Sequence, residues 1–362
     1  LASPTTLAMI SKLYRAGPSR DRALVGYGAM AGLGIALGLV FGGVFTELAS
    51  WRWVMWVNVP IGIGLLIAAP RVLPESTGVR RNLDIVGVLL GTTATTTLVY
   101  GVVRAGSDGW DDKIAVSALA VAAILLITFG FQQHRVTAPV LPLSLFRHRA
   151  RSGSYLIAAL LFGNVYAVVF FLTRYMQFVL NWGGIRAGLT MLPIGAGTLA
   201  FALAARRLVG KTGPRPLVAA GAGIEAVAVW SLVHLQAHDS ATTLLLCSAV
   251  GLGAGIGTSF VANTTSAVTD VTDSDFGVAS GLLSTFQQVG GSIGVAALGS
   301  IAASITTHHL QSGPPPTTIQ AKVAATHESL LAGFHAGYWI AGGMAALAAI
   351  LALVTAVGRS ES

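Results

Sequence analysis

The chain has 362 residues, of which 54% are hydrophobic and 10% charged, with a mean hydropathy of +0.73. Soluble domains carry about 25% charged residues, so this composition excludes a water-soluble enzyme or binding module. The formal net charge of +8 does not point to nucleic acid, because the basic residues lie in short segments between apolar runs rather than on one face.

A membrane span needs about 20 mainly apolar residues at ~1.5 Å rise each. Ten stretches meet that length, at 24–46, 52–70, 84–104, 114–131, 152–173, 188–205, 216–235, 241–262, 277–303 and 334–356. They predict an all-α integral membrane protein with ten transmembrane helices. The first span carries Gly26, Gly28, Gly32, Gly34, Gly38, Gly42 and Gly43. Small residues four apart make a flat face on which another helix can approach closely. The second span follows at once and forms a pair with it. The third begins at Asp84, just after Arg80 and Arg81, where a carboxylate suits a helix N-terminus. The fourth closes a second pair, and the basic stretch 132–151 leads on from it.

Along the fifth span runs a polar trail of Asn164, Tyr166, Arg174, Tyr175 and Gln177. Substrate contact is one reading; interhelical bonding and snorkelling to the outer rim are the other. The sixth span holds Pro193 with Gly195 and Gly197, a pattern for a bent or broken helix. In the seventh, Glu225 stands at mid-span among alanines and glycines. A charged group at the bilayer centre costs at least ~2.5 kcal/mol, so it should face protein or a watered cavity. Glu225 is therefore a candidate for proton coupling or cation recognition, or a neutral acid bonded to a neighbouring helix. Gly251, Gly253, Gly255 and Gly257 in the eighth span, and Gly290 and Gly294 in the ninth, mark crowded helices. The ninth also carries Gln287 and Gln288. Segment 304–333 is too long for a simple connector. Residues 317–330 are expected to form a short helix on the membrane surface, with Ile319 and Val323 turned inward.

The segments between spans alternate in charge. Sixteen of the 22 Lys and Arg residues fall in 1–23, 71–83, 132–151, 206–215 and 357–362. The positive-inside rule places that set in the cytoplasm, with both ends of the chain. Segment 263–276 joins it by parity alone. Chemistry of an enzymatic kind has no signature here: no phosphate loop, no nucleophile elbow and no His-Glu-x-x-His is present. Cys247 is the single cysteine, and the histidines do not cluster at ligand spacing. The expectation is no enzyme and no cofactor.

Several motifs add a family resemblance. Arg20, Gly26, Gly28, Gly34, Gly38, Gly42 and Gly43 are similar to the fifth-helix antiporter signature of the fourteen-helix drug:proton antiporters of the major facilitator superfamily. Ser50, Trp51, Arg52, Trp53, Trp56, Asn58, Pro60 and Gly62 resemble the start of that family's sixth helix. Arg81, Asn82, Leu83, Asp84 and Gly87 resemble the entrance to the seventh. Gln177 and the run from Ala187 and Gly188 to Leu192 and Pro193 resemble the region joining helices nine and ten. Ala279, Gly281, Phe286, Gln287, Gln288, Gly290 and Gly291 resemble the start of the thirteenth. The match covers nearly the whole chain. It departs at Leu39, Gly184 and Gly210, where proline, proline and aspartate are usual, and at Arg186, where an acid is common.

The resemblance implies that the ten spans are helices five to fourteen of a partial major-facilitator fold. Residues 1–23 would be the tail of helix four and a cytoplasmic loop, 24–70 two helices of the N-terminal bundle, 84–131 two extra central helices, and 152–357 the C-terminal six-helix bundle. It implies proton-driven export of lipophilic, in part cationic, small molecules by alternating access, with the proton gradient as driving force and a monomer in the cytoplasmic membrane. Rings of Trp230, Phe162, Phe170 and Phe171 would suit such a cavity. Asp84, Arg207, Lys211 and Arg215 fall where the family's cytoplasmic loops and gate lie. Two alternatives stay open: a truncated transporter without transport activity, and a membrane sensor or assembly protein.

Overall fold

The computed structural model describes residues 9, 18–72, 84–137, 139–142, 145–146, 148–236, 241–268, 271, 275–312 and 318–355. The tail of helix four at 1–14 (apart from Met9), Arg80 and Arg81, and the prolines at 314–316 lie outside the described residues. The described chain is all α. Its helices are α1 (Pro18–Leu48), α2 (Trp51–Trp56), α3 (Asn58–Val72), α4 (Ile85–Asp108), α5 (Lys113–Arg135), α6 (Arg149–Arg174), α7 (Gly184–Thr212), α8 (Pro214–Ser231), α9 (Ala241–Val268), α10 (Phe276–Ser312) and α11 (Ile319–Thr355). Among the described residues nine helical segments are long and apolar enough to cross a bilayer, with α2 and α3 together counting as one. The 31-residue α1 carries a shorter apolar stretch, Leu33–Leu48. In hydrocarbon each backbone N–H and C=O must be satisfied within its own segment, which is why every apolar run is a helix.

The ends of these helices follow from local chemistry. Asp84 caps α4, its carboxylate accepting from Gly87 N at 2.8 Å. Asp112 caps α5 through Ala115 N, and Arg104 Nε donates to the same carboxylate at 2.6 Å. Arg104 also pairs with Asp108 at 3.1 Å, which pins the α4–α5 turn. At the other end of this pair, Gln132 and Gln133 donate to Asp84 at 2.7 and 2.8 Å. Gln133 Oε1 accepts from Leu141 N, so one carboxylate ties α4, α5 and the following segment together. One residue, Gly213, joins α7 to α8; its φ of +79° is a left-handed conformation that favours glycine, and Pro214 opens α8.

The Asp84 cluster makes a first prediction. Its backbone bond to Gly87, with the two glutamine donors, holds the Asp84 carboxyl below its ordinary value of 3.8. A depressed value stabilises the fold above the unfolded pKa, and the contribution is lost as pH falls through the folded one. Asp84→Asn should lower the melting temperature in detergent at neutral pH. The gap between variant and parent should close in acid below about 3.8. An equal gap at both pH values would contradict this.

Helices α6 to α11 pack into one bundle, with α7 against α9, α6 against α10, and α8 between α9 and α11. On its outside, α1 lies along α7, and the α4–α5 pair docks on α10 through α4. Trp110 Nε1 donates to Ser300 Oγ at 3.1 Å across that second contact. No residue of α2 or α3 is buried within the chain. Glycine lets the bundle helices touch backbone to backbone. A Cβ on Gly294 would sit 2.4 Å from Gly163 Cα, and one on Gly290 would sit 2.4 Å from Ala159 Cα. Gly253 meets the carbonyls of Pro193 and Ile194 in the same way, and Gly257 meets that of Thr198.

Three expectations need correction. The four-spaced glycines of α1 do not make its close contact: a Cβ on Gly26, Gly34, Gly38 or Gly42 would meet nothing within 4 Å. Gly43 does, against the Gly184 carbonyl. Second, of the two forms expected at Pro193, a break is ruled out: Pro193 lies inside one continuous helix, α7. Third, the expected surface helix at 317–330 is continuous with α11, which is 37 residues long. Thr318 Oγ1 accepts from Ala321 N at its start, and no proline interrupts the helix thereafter. Ile319 and Val323 are exposed on the surface of the chain. At ~1.5 Å per residue α10 and α11 are each about 55 Å long, well beyond the ~30 Å hydrocarbon layer.

Candidate functional site

Glu225 lies at the middle of α8 and is 1% exposed. Asn164 Nδ2 of α6 donates to its Oε2 at 3.1 Å, and Ser259 Oγ of α9 donates to its Oε1 at 2.9 Å. The small residues around it explain how a carboxylate fits there. Gly221 packs on the Ser259 backbone, and a Cβ on Gly255 would lie 2.4 Å from Glu225 Cγ. Close approach of α8 and α9 therefore shuts the carboxyl between three helices. Asn164 is fully buried, and its Oδ1 has no hydrogen-bond partner. Turning the amide over would present Oδ1 to Glu225, so the same residue can donate to a carboxylate or accept from a carboxylic acid.

Beside this cluster lies a cavity of about 640 Å³. Gly34, Ile35, Gly38 and Leu39 of α1 form one wall. Phe162, Tyr166 and Phe170 of α6, Phe260 and Asn263 of α9 and Gln287 of α10 form others. The rings are close-set: Phe162 is 5.8 Å from Tyr166 and 6.2 Å from Phe260, between centroids. Among the described residues Glu225 is the one carboxyl on the wall, and no Lys, Arg or His joins it there. The space is mostly apolar with a few convergent polar groups, the usual make-up of a small-molecule site.

The structure brings together Glu225, Asn164, Tyr166, Gly34 and Gly38, and leaves the other candidates elsewhere. Arg174 ends α6 and lies over Phe170 and Phe178, 5.5 and 5.0 Å from the ring centroids. Gln177 sits in the π-helical turn Tyr175–Val179 and does not line the cavity. Gly42 and Gly43 lie further along α1, beyond the cavity wall. Among the rings, Phe162 and Phe170 line the space, whereas Phe171 is buried against Phe334 and Tyr338. Trp230 is turned away, with its Nε1 donating to the Trp339 carbonyl at 3.3 Å. At the far end of the bundle Arg215 donates to the Leu353 carbonyl, Asp84 is bound as a cap, and Arg207 and Lys211 are exposed.

Ser259, Phe260 and Asn263 were not singled out from the sequence. Their signal was present: Gly255, Ser259 and Asn263 recur every four residues and share one face of α9. Among the described residues no group of His, Cys, Asp and Glu is placed to hold a metal ion.

Comparison with known proteins gives the context. The family profile described as Major Facilitator Superfamily matches residues 1–295. The chain is 33% identical, over 99% of its length, to the puromycin resistance protein pur8 of Streptomyces alboniger. Over 84% of its length it is 35% identical to the cephamycin export protein CmcT of Amycolatopsis lactamdurans. It is 26% identical, over 98%, to the tetracenomycin C resistance and export protein of Streptomyces glaucescens. The chain spans 71%, 64% and 72% of the lengths of these three proteins.

Proposed function

Because the chain belongs to the Major Facilitator Superfamily, we propose that it exports drugs or other lipophilic small molecules, cations among them, by alternating access driven by protons. Membership makes it a multi-pass membrane transporter and not an enzyme. The observation that carries the finer reading is the buried Glu225 carboxyl, held by Asn164 and Ser259 on the wall of an apolar, ring-lined cavity. A carboxyl so placed holds a proton or gives it up, and each state has a bonding partner in Asn164. Substrate in the cavity and proton on Glu225 then compete, which couples their opposite movements. Tyr166, Phe162 and Phe260 supply the aromatic surface for substrate, and lipophilic cations gain from ring faces as well.

In this reading α6–α11 rock as one unit, α1–α3 belong to the opposing unit, and α4–α5 are the added central pair. The chain is a monomer in the bacterial cytoplasmic membrane with both ends in the cytoplasm. Asp84, Arg207, Lys211 and Arg215 lie on that side and shape the inner mouth. The names of the relatives suggest the test compounds. Puromycin, tetracenomycin C, a cephamycin and a set of lipophilic dyes should be offered to everted vesicles with and without an imposed proton gradient. At least one compound should accumulate only with the gradient and drain when it is collapsed. Accumulation indifferent to the gradient would contradict proton coupling.

A further inference from the structure

We propose that Glu47, near the end of α1, is a latch that keeps the outer side of the cavity shut by capping α7 from across the boundary between the two moving units. The inference rests on the alternating-access reading above. It starts from the first turn of α7, whose N-terminal N–H groups have no partner within their own helix. Gly183, at the cap position, has no side chain to offer them. Glu47 does the work instead: its Oε2 accepts from Ile185 N at 2.7 Å. A carboxylate at the positive end of a helix is both a cap and a charge complement.

The chain around this contact is shaped for it. A Cβ on Gly183 would lie 2.7 Å from Glu47 Oε2, so a side chain there would displace the carboxylate. Gly43 and Gly184 meet backbone to backbone, and a Cβ on Gly188 would lie 2.6 Å from the Leu39 carbonyl. The close α1–α7 contact therefore runs from Leu39 to Glu47. At its start the contact meets the cavity: Leu39 lies on the cavity wall with Gly34, Ile35 and Gly38, and a Cβ on Gly34 or Gly38 would meet nothing within 4 Å. The seal thus lies on one side of the cavity, the side that the charge pattern places outside. Arg186, the other charged side chain among the described residues of the recess around Glu47, is engaged elsewhere, 3.9 Å over the Trp182 ring. For the cavity to open outward α1 and α7 must part here, and the Glu47 bond is the polar contact that has to break.

The test reads accessibility rather than transport. In the full chain with Cys247→Ser, Val165→Cys places one thiol on the cavity wall. Its labelling by a membrane-impermeant maleimide is followed in right-side-out and in everted vesicles. Glu47→Ala should raise outside labelling on the order of threefold, as loss of a cap would, and lower labelling from the inside. Glu47→Lys, which sets a positive charge against the positive end of α7, should do so more strongly. Glu47→Gln keeps a carbonyl for Ile185 N and should stay nearer the parent. Outside labelling unchanged in both the Ala and Lys variants overturns the latch. So does labelling that rises from both sides together, since that reports loosened packing and not a shifted gate. Variants that show the opposite-sided shift, with a parent that shows no gradient-driven transport, keep the latch and lose the transport reading.

Discussion

Glu225→Gln should abolish proton-driven export while leaving the fold and substrate exchange in place. Glutamine has the size of glutamic acid and no proton to release at any working pH. Its carbonyl accepts from Ser259 as the carboxylate does. Its amide then needs an acceptor, and the unpartnered Oδ1 of Asn164 supplies one once that side chain turns over. The variant should therefore melt close to the parent. Uphill transport in everted vesicles should fall ~100-fold, the scale lost when an essential proton-transfer group is removed. Exchange of labelled for unlabelled substrate at equal concentrations needs no proton and should persist, at higher substrate concentration than in the parent, because glutamine imitates the protonated acid that competes with substrate. Glu225→Ala makes the contrast. It strands the buried Asn164 Nδ2, at about 1–3 kcal/mol for the unmet group, while the Ser259 hydroxyl keeps the Ile256 carbonyl at 3.3 Å. That variant should lose thermal stability as well as coupling. Uphill transport by Glu225→Gln at the parent's rate would remove Glu225 from the mechanism.

The second large effect concerns stability. Gly294→Ala puts a Cβ 2.4 Å from Gly163 Cα, and that neighbour is backbone, which cannot swing aside. Helices α6 and α10 must separate along their length, and the cavity wall they share moves with them. Overpacking of this kind costs about 1–3 kcal/mol and at times more. Gly299→Ala, on the same helix, is the control: a Cβ there meets nothing within 4 Å. Alanine is favoured over glycine in a helix by up to ~1 kcal/mol, so Gly299→Ala should match or exceed the parent's melting temperature. Fluorescence-detected melting in detergent separates the two. Equal melting of Gly294→Ala and Gly299→Ala would show that the α6–α10 contact is looser than the backbone distances imply.

Much of the architecture is legible in the sequence because the bilayer leaves the backbone few choices. The ten apolar runs fold as helices, the second in two pieces, α2 and α3, and the crowded glycines at Gly253, Gly257, Gly290 and Gly294 are where helices touch. Where one reading failed, the cause is direction. Gly34, Gly38 and Gly42 read as a packing face, but spacing does not tell which side of α1 meets α7, and among the described glycines of α1 only Gly43 lies on it. The same holds for the site. Glu225 stood out because a lone acid in an apolar run is costly. Ser259 did not, because serine is unremarkable in a helix of small residues and gains meaning only opposite a carboxylate. Arg174 and Gln177 shared a polar trail with Asn164, yet they lie at the end of α6 and in the π-helical turn after it, beyond the cavity. Distance along a helix axis, more than polarity, decides which of them a substrate can meet. The stretch from 317 to 330 differs from expectation for a related reason: length beyond a span does not require a separate surface helix, and nothing in the residues from Ile319 onward breaks the helix.

In the proposed mechanism substrate and proton compete through one buried carboxyl. The direct measurement is proton release on substrate binding, made with purified protein in detergent, weak buffer and a pH indicator, across a pH series. The substrate is the best compound from the vesicle panel. Binding should displace protons from the parent, up to about one per bound molecule, and displace none from Glu225→Gln. Substrate that binds the parent across the whole series without releasing a proton, or that releases as many from Glu225→Gln, would contradict it.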